Sequence, residues 1–496
     1  MNMAIDTEIV SSYGRLAAII AEHPFGNSDY ITGQLHFCLK RRLGKIAAHV
    51  AAAGELLAKV TNADTYTRYR ILGNTVVRCA IQHLFNQIET GAQHGLPTEQ
   101  CDEILREAIN LIDEGALSAF EHTNSIGPNA YHGRIWCDDE KDRVFSRALP
   151  DLVKLNYKTV ICTPDTEEVA MLRRGTELLE VLWPQAKSAL SHAHCIAIFQ
   201  PNGQWTSTAS SSTFKLSGTI FLARRLISNP WWVAEHLFHE VLHQQLYDFR
   251  QAHTLLMPDF DRDGAPRVHS LWNVPFGNNW DVHRALAAFH VYVYLAIFET
   301  VAERRAPELE GIYGPVRGAI AGGRKALQRA HYLTEQLKAT CWEELGAAGH
   351  RFVEFFDSVL DFIDDAPPPP GSFIHLLVDR YRNEARMIDS LLKNESRRAD
   401  LLQPLAALTE DEVKTARKVL SAVKPDENLT SFNESIATLS REEFGSQFAR
   451  IRALVAEAIL HSSADGFRLS ESQIADEILK TMVENSSERL RVLVGA

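Results

Sequence analysis

The sequence predicts an α+β protein that is predominantly α-helical, with a helical scaffold and a small β-sheet beside one motif-bearing helix. Three observations lead to this prediction. Apolar residues recur at helical spacing through residues 28–120 and again after residue 280. Two short β-branched and apolar runs, at residues 195–199 and 218–222, have the composition of buried strands. A long helical pattern follows the second of these runs.

The N-terminal part is expected to be packed helices. One apolar face is formed by Ile46, Ala47 and Val50, and another begins at Ile104 and continues to Ile112. Residues at these spacings share one side of a helix, so each face can be buried against a neighbouring helix. We interpret this part as scaffold.

The central part alternates between strand and helix signals. Residues 159–162 are a candidate strand, and the segment from Thr163 has the features of a helix start, with apolar residues continuing to Leu182 before Pro184. Two further strands are expected at residues 195–199 and 218–222, separated by a Ser- and Thr-rich segment. The edge of such a strand can bind an extended peptide, although a purely structural hairpin is at least an equal expectation here.

A helix is expected to begin at Asn229, because asparagine is a good N-cap and proline is favoured at the next position. This helix continues to about Arg250. A second long helix is expected from about Asp281 to Arg305. Further helices are expected over residues 401–423, 442–459 and 470–494.

The run of four prolines near residues 364–371 cannot continue a helix and is interpreted as a boundary. The predicted organisation is a helical N-terminal region at residues 1–150, a metal-site core domain at residues 151–365, and a helical C-terminal region at residues 366–496.

Composition restricts the class of protein. The net charge of -12 disfavours sequence-independent binding to nucleic acid and binding to an anionic membrane, since either needs a basic surface. The seven cysteines are odd in number and never form a C-x-x-C pair, which argues against a disulfide framework. With no signal-like N-terminus, a cytoplasmic protein is expected, and a homo-oligomer is compatible with the sequence.

The motif His239-Glu240-Val241-Leu242-His243 carries the chemistry. Its two histidines are one helical turn apart, so both imidazoles can reach one divalent metal ion. Glu240 is the candidate catalytic carboxylate beside that metal. Two histidines are too few for a catalytic metal, which usually has three protein ligands and an open position.

The third ligand has two main candidates. His283 lies in the first turn of the next long helix, and Glu299 lies further along it in an E-x-x-x-E segment. That segment resembles the E-x-x-x-D segment of neprilysin-like zinc peptidases, with Glu303 in place of the aspartate. A solvated histidine and a charged helix position are the plain alternatives for these two residues.

Three further residues have weaker assignments. His236 precedes His239 by three residues and is a candidate hydrogen-bonding partner for the site, although a packed histidine is the alternative. His290 is a lower-ranked third ligand. Asp248 is a candidate for orienting a ligand imidazole, with an exposed carboxylate near the helix end as the favoured interpretation.

The order of these features resembles the HExxH-motif peptide-modification proteins, which are 2-oxoglutarate-dependent peptide β-hydroxylases associated with ribosomally made peptide natural products. The resemblance covers residues 163–295. It rests on the strand at residues 218–222, on the segment from Trp232 into the motif, and on Ser270-Leu271-Trp272 followed by Val282-His283.

The resemblance implies an oxidoreductase, a dioxygenase that uses Fe(II) and 2-oxoglutarate to hydroxylate a β-carbon in a peptide or amino-acid-like substrate. It implies that His239, His243 and His283 are the iron ligands, with positions left for the keto acid and O₂. Glu240 would then be a pocket group and not a hydrolytic base.

The chain departs from that family between Trp272 and His283, where an Arg-containing, Pro-rich run is usual and residues 273–279 hold no arginine. A guanidinium is the best partner for the distal carboxylate of 2-oxoglutarate. Arg284 and Arg267 are the candidates that replace it, with Arg250 as a further one.

Two other hypotheses about the function remain. One is a zinc metallopeptidase in which Glu240 is the general base, because imidazole ligands suit zinc as well as iron. The other is a non-catalytic peptide-binding protein.

Overall fold

The structure is a computed structural model, and 73% of it is helical, with a small mixed sheet and a separate two-stranded sheet. This confirms the predicted α+β, predominantly helical class. The structure describes residues 2–91, 95–115, 125–138, 144–206, 208–272, 279–316, 318–320, 322–364, 373–423, 427–463 and 469–495. The predicted boundary at the proline run and the arginine-free run after Trp272 lie largely outside the described residues.

The chain forms two compact units whose segments alternate along the sequence. Unit 1 comprises Met1–Pro258, His290–Gly323 and Leu345–Val359. Unit 2 comprises Asp259–Phe289, Arg324–Glu344 and Leu360–Ala496. The units therefore group the chain differently from the three consecutive regions predicted above, and the N-terminal helices share unit 1 with the His-Glu-x-x-His helix.

The first helices of unit 1 begin at good capping residues. Asn27, Asp64 and Asn74 each accept a hydrogen bond from a backbone N–H in the first turn that follows. Gly91 ends α5 in the left-handed conformation, with φ of 68°. The six helices are α1 (Asn2–Glu22), α2 (Ser28–Ile46), α3 (Ala51–Asn62), α4 (Thr65–Gly73), α5 (Thr75–Thr90) and α6 (Thr98–Asp113).

The sheet of unit 1 has the strand order β1-β3-β5-β4, with β2 also paired to β3. β3 is parallel to β1 and β5, whereas β2 and β4 are antiparallel to their neighbours. The predicted strands at residues 159–162, 195–199 and 218–222 are present within one residue of their predicted limits. The strands are β1 (Arg134–Ile135), β2 (Val160–Cys162), β3 (Cys195–Gln200), β4 (Ser210–Ser212) and β5 (Thr219–Ala223).

Both faces of this sheet are buried. Ala197, Phe199 and Phe221 point into the core that the N-terminal helices share. The opposite face carries Ile198, Ile220 and Leu222, which are also fully buried. Alternate residues of a strand point to opposite faces, so these near-continuous apolar runs are what a sheet covered on both sides requires.

The remaining helices of unit 1 flank the sheet. Asp165 and Glu168 form a capping box at the start of α8, in the segment where the sequence predicted a helix start. These helices are α7 (Phe145–Tyr157), α8 (Thr166–Leu182), α9 (Ala186–Ala189) and α10 (Pro230–Ala252), with a 3₁₀ turn at Leu190–His192. Helix α10 carries the His-Glu-x-x-His motif.

After α10 come the short hairpin strands β6 (Val268–His269) and β7 (Asn279–Trp280), and then helix α11 (Val282–Tyr313). Helix α11 is longer than the predicted helix, and its first turns belong to unit 2 while the rest belongs to unit 1. By length and apolar composition it would suffice to cross a membrane, and 89% of its most apolar window is buried within the structure. Core helices of globular proteins share these properties.

The other helices fill mainly unit 2. Their apolar faces converge on a core that includes Tyr381, Phe432 and Ile451. The helices are α12 (Gly323–Thr340), α13 (Ala347–Ile363), α14 (Ile374–Leu392), α15 (Glu395–Val423), α16 (Glu427–Ala437), α17 (Arg441–Ser446), α18 (Phe448–Ser463) and α19 (Leu469–Val494).

Candidate functional site

Helix α10 begins where the sequence predicted. The side chain of Asn229 accepts a hydrogen bond from the backbone N–H of Trp231, and Pro230 occupies the first turn. The indole of Trp231 is fully buried and donates to the carbonyl of Gly314 at 2.7 Å. The start of the helix is therefore held in unit 1 by a hydrogen bond and by burial of an aromatic ring.

One stripe of α10 is only partly buried. Between Pro230 and Arg250, all of which the structure describes, every residue is buried except Trp232, His236, His239, His243 and Arg250. The positions from 232 to 243 are separated by steps of three and four residues, so they share one side of the helix. We call His236, His239 and His243 the imidazole stripe. The motif histidines thus lie on the one accessible side of an otherwise buried helix.

The ring geometry of the stripe suits two metal ligands. The centroids of His239 and His243 are 5.0 Å apart, with ring planes at 68°. Two imidazoles that bind one metal at about 2.1 Å each come this close. His236 stacks on Trp232 at 4.0 Å, and its Nδ1 lies 3.0 Å from the Trp232 carbonyl. Burial lowers the pKa of His236 to about 4, so this imidazole is neutral at pH 7.

Glu240 lies on the side of α10 adjacent to the stripe, and its carboxyl is hydrogen-bonded to β4. The hydroxyl of Ser210 donates to Glu240 Oε1 at 2.6 Å, and Glu240 is only 3% exposed. Burial raises the pKa of this carboxyl to about 7, against the smaller opposing effect of hydrogen bonds from Ser210 and Ser212. At neutral pH the group therefore exchanges a proton readily, which is what a general acid or base requires.

A polar ladder continues along the same side of α10 as Glu240. It consists of Glu240, Gln244 and Asp248, which follow one another at four-residue steps. The Gln244 side chain accepts from the backbone N–H of Gly218 at 2.7 Å and donates to the carbonyl of Thr219 at 2.9 Å. Gln244 thus bonds to the start of β5 as a neighbouring strand would.

Asp248 differs from its favoured interpretation as an exposed carboxylate, which is wrong. It is 1% exposed, accepts from Arg78 Nη1 at 2.7 Å, and lies 2.8 Å from His192 Nδ1. Burial raises its pKa, but the Arg78 guanidinium and His192 together hold that pKa below its usual value, so the carboxylate is ionised. The sequence analysis did not single out Arg78 or His192, and only the four-residue spacing of the ladder signalled a buried role for Asp248.

His283 lies in the first turn of α11, where it is half-buried and belongs to unit 2. The preceding Asp281 accepts from the backbone N–H of Arg284 at 2.8 Å. The guanidinium of Arg284 lies 4.9 Å from the centre of the Trp280 ring, and Arg267 is exposed. These three candidates for metal or keto-acid binding thus lie in unit 2, whereas the imidazole stripe lies in unit 1.

His290 and Glu299 are buried in the part of α11 that belongs to unit 1. His290 is surrounded by the rings of Tyr294, Phe352 and Phe356, each at 5.0–5.3 Å between centroids. Burial lowers the pKa of His290 to about 3. Glu299 is fully buried.

No group of three or more His, Cys, Asp or Glu side chains is arranged to hold a metal ion within the described ranges. The chemistry of His239 and His243 fits two ligands of a transition metal. The assignment of His283 as the third ligand stays a prediction, as do Glu299 and His290 as its alternatives.

Comparison with known proteins adds no family assignment. No protein-family model matches this chain, and no curated protein matches it. Functional conclusions therefore rest on the chemistry of the site.

Proposed function

We propose that this protein is a cytoplasmic Fe(II)- and 2-oxoglutarate-dependent dioxygenase that hydroxylates a β-carbon in a peptide or amino-acid-like substrate. The observation that carries the proposal is the imidazole stripe, since His239 and His243 occupy the accessible side of a buried helix. The carboxyl of Glu240 is buried and hydrogen-bonded to Ser210, which favours a supporting role over water activation.

The roles of the side chains follow from their chemistry. His239 and His243 hold the metal through their imidazole nitrogens, and His283 is proposed as the third ligand. Bound iron would supply the activation of O₂ and the oxidation of 2-oxoglutarate. Arg284 or Arg267 is proposed to bind a carboxylate of the keto acid, because a guanidinium makes paired hydrogen bonds with it.

The edge of the sheet supports a peptide substrate. The backbone N–H of Ala223 donates to the carbonyl of Ala209 at 2.9 Å. In an antiparallel pair every second residue hydrogen-bonds to the neighbouring strand, so this bond shows which residues of β4 bond to β5. Ser211 therefore bonds toward β5, while the backbone groups of Ser210 and Ser212 point to the outer edge. Among the described residues, β4 pairs with β5 alone. An extended peptide added there would lie beside Glu240.

The test is turnover under controlled metal loading. The full-length protein is purified without oxygen, given Fe(II), 2-oxoglutarate and candidate peptides, and then exposed to O₂ while succinate is measured. Succinate formation is expected in the wild type and its loss in His239→Ala and His243→Ala. The exposed His49, on the surface after α2, provides a matched control. Activity that survives both motif substitutions would contradict the proposal.

A zinc metallopeptidase is the second candidate, and one observation favours it. Glu240 directly follows the proposed metal ligand His239 and is buried, and this is the position that the general base occupies in zinc peptidases with this motif. In this case zinc restores peptide cleavage, Glu240→Gln abolishes it, and iron with 2-oxoglutarate gives no succinate. Binding of a peptide with neither reaction would favour the non-catalytic reading instead.

A further inference from the structure

Asp248 lies at the centre of a buried network that the proposed chemistry does not use. Its carboxylate bridges Arg78 on α5 and His192 at the end of the 3₁₀ turn that follows α9. All three side chains are at most 5% exposed. The network therefore joins α10 to two separate elements of unit 1.

Arg78 is itself held by further groups. Its Nε donates to the carbonyl of Leu72 at 2.9 Å, and its Nη2 lies 3.2 Å from His194 Nε2. A buried carboxylate without partners would be strongly unfavourable, but here its charge is balanced and both oxygens are hydrogen-bonded. The carboxylate and the guanidinium of this network are paired and buried, so a displacement of Asp248 would break charge-assisted hydrogen bonds.

The ladder connects this network to the imidazole stripe. Residues along a helix differ by 100° per position, so Asp248 and the other ladder residues define one side of α10 while His239 and His243 define the adjacent side. A rotation of α10 by one position would carry the imidazoles toward buried surroundings. The Gln244 contacts to the sheet fix the middle of the helix, and Asp248 fixes its C-terminal part.

We propose that Asp248 is a positioning residue, which through Arg78 and His192 fixes the rotation and axial position of α10 so that His239 and His243 present to one metal ion. The inference rests on the proposed metal site of the preceding section. Asp248 does not touch the metal or the substrate in this proposal, and it acts only through the helix.

The test uses cobalt(II) as a spectroscopic probe that requires no turnover. Cobalt is titrated into the metal-free, full-length protein, and both the dissociation constant and the visible absorption bands are recorded. Asp248→Asn keeps the shape and removes the charge. We expect about 10- to 100-fold weaker cobalt binding and altered bands, as is typical when groups that support metal ligands are changed.

His192 supplies a second pair of variants that tests the same point if Asp248→Asn does not fold. Asparagine can place an amide N–H near the position of the histidine Nδ1–H, so His192→Asn is expected to retain binding near that of the wild type. His192→Ala removes the donor and is expected to weaken cobalt binding. Rescue by asparagine separates positioning from mere loss of packing.

Leu105→Ala is the control for general destabilisation, because Leu105 is fully buried on α6, which packs mainly against α3 and α5. It is expected to lower the melting temperature and leave cobalt binding unchanged. Wild-type affinity in Asp248→Asn or His192→Ala, or equal weakening in Leu105→Ala, would overturn the positioning role. Failure of the metal site itself has a separate signature: the wild type then binds no cobalt, or His239→Ala binds it equally well, and both proposals fall.

Discussion

Replacing Glu240 by glutamine is expected to stabilise the metal-free protein, and to do so more as the pH rises. The carboxyl of Glu240 is buried, and its pKa is raised from 4.5 to about 7. The folded protein therefore retains a proton that the unfolded chain has already released between these two values. Ionisation of the buried carboxyl is unfavourable in the folded protein, so the free energy of unfolding falls as the pH rises. Glutamine cannot ionise and keeps a side-chain oxygen for Ser210.

The magnitude follows from linkage. The pKa of Glu240 is 4.5 in the unfolded chain and about 7 in the folded protein. Its titration therefore lowers the free energy of unfolding by about 0.8 kcal/mol at pH 5 and by about 3.3 kcal/mol at pH 8. The wild type should therefore lose about 2.5 kcal/mol relative to Glu240→Gln across this range. Unit 1 has about 300 residues, and an unfolding entropy of about 2.1 cal/mol/K per residue converts that difference into a shift of about 4 °C in melting temperature.

The assay is calorimetric unfolding of both proteins in a chelator at pH 5, 6, 7 and 8. The chelator removes metal, whose charge would lower the pKa of Glu240 and obscure the effect. Ser210→Ala is a useful companion, since loss of its hydrogen bond should raise the pKa further and increase the pH dependence. A difference between wild type and Glu240→Gln that is constant with pH would refute the reasoning.

Three further outcomes are expected. Because burial lowers the pKa of His290 to about 3, the unfolded chain binds a proton below pH 6.5 that the folded protein does not, so from pH 7 to pH 5 the wild type should lose about 2 kcal/mol more than His290→Gln in urea unfolding. Ser212→Pro should abolish peptide binding measured by calorimetry, because the lost N–H points to the outer edge, and should cost stability only through the lost hydroxyl contact with Glu240. Ser211→Pro should cost more, about 3 kcal/mol of stability, by breaking the ladder. Gly73→Ala should destabilise the protein by about 1–3 kcal/mol in thermal unfolding, since the added Cβ would meet the ring of His194 at 1.9 Å.

Each of these has an outcome that contradicts it. Equal pH dependence in wild type and His290→Gln would mean that His290 is protonated in the folded protein. Peptide binding that survives in Ser212→Pro would exclude the β4 edge as the docking strand. An unchanged melting temperature in Gly73→Ala would mean that the ring of His194 moves aside without cost.

Local sequence signals predicted the elements that carry the site. Asn229 and Pro230 marked the start of α10, and the β-branched runs marked β3 and β5, because capping and strand preferences act between residues that are close in the chain. The spacing of His239 and His243 likewise determined that their imidazoles share a side of α10. These features depend on backbone geometry alone.

Tertiary structure decided which side of α10 is open and what the polar residues on it do. Serine has little strand preference, so β4 exists because its residues pair with β5. Asp248 meets Arg78 from 170 positions earlier in the chain, and Glu240 meets Ser210 across 30 positions. Contacts between residues so far apart in the chain produce no periodic pattern from which the sequence could predict them. The motif alone determined that two imidazoles and a carboxylate share a helix. The fold determined that the imidazoles are partly exposed and the carboxylate is buried. Sequence spacing cannot predict this difference, because the side of a helix that is shielded from water is set by packing against distant parts of the chain.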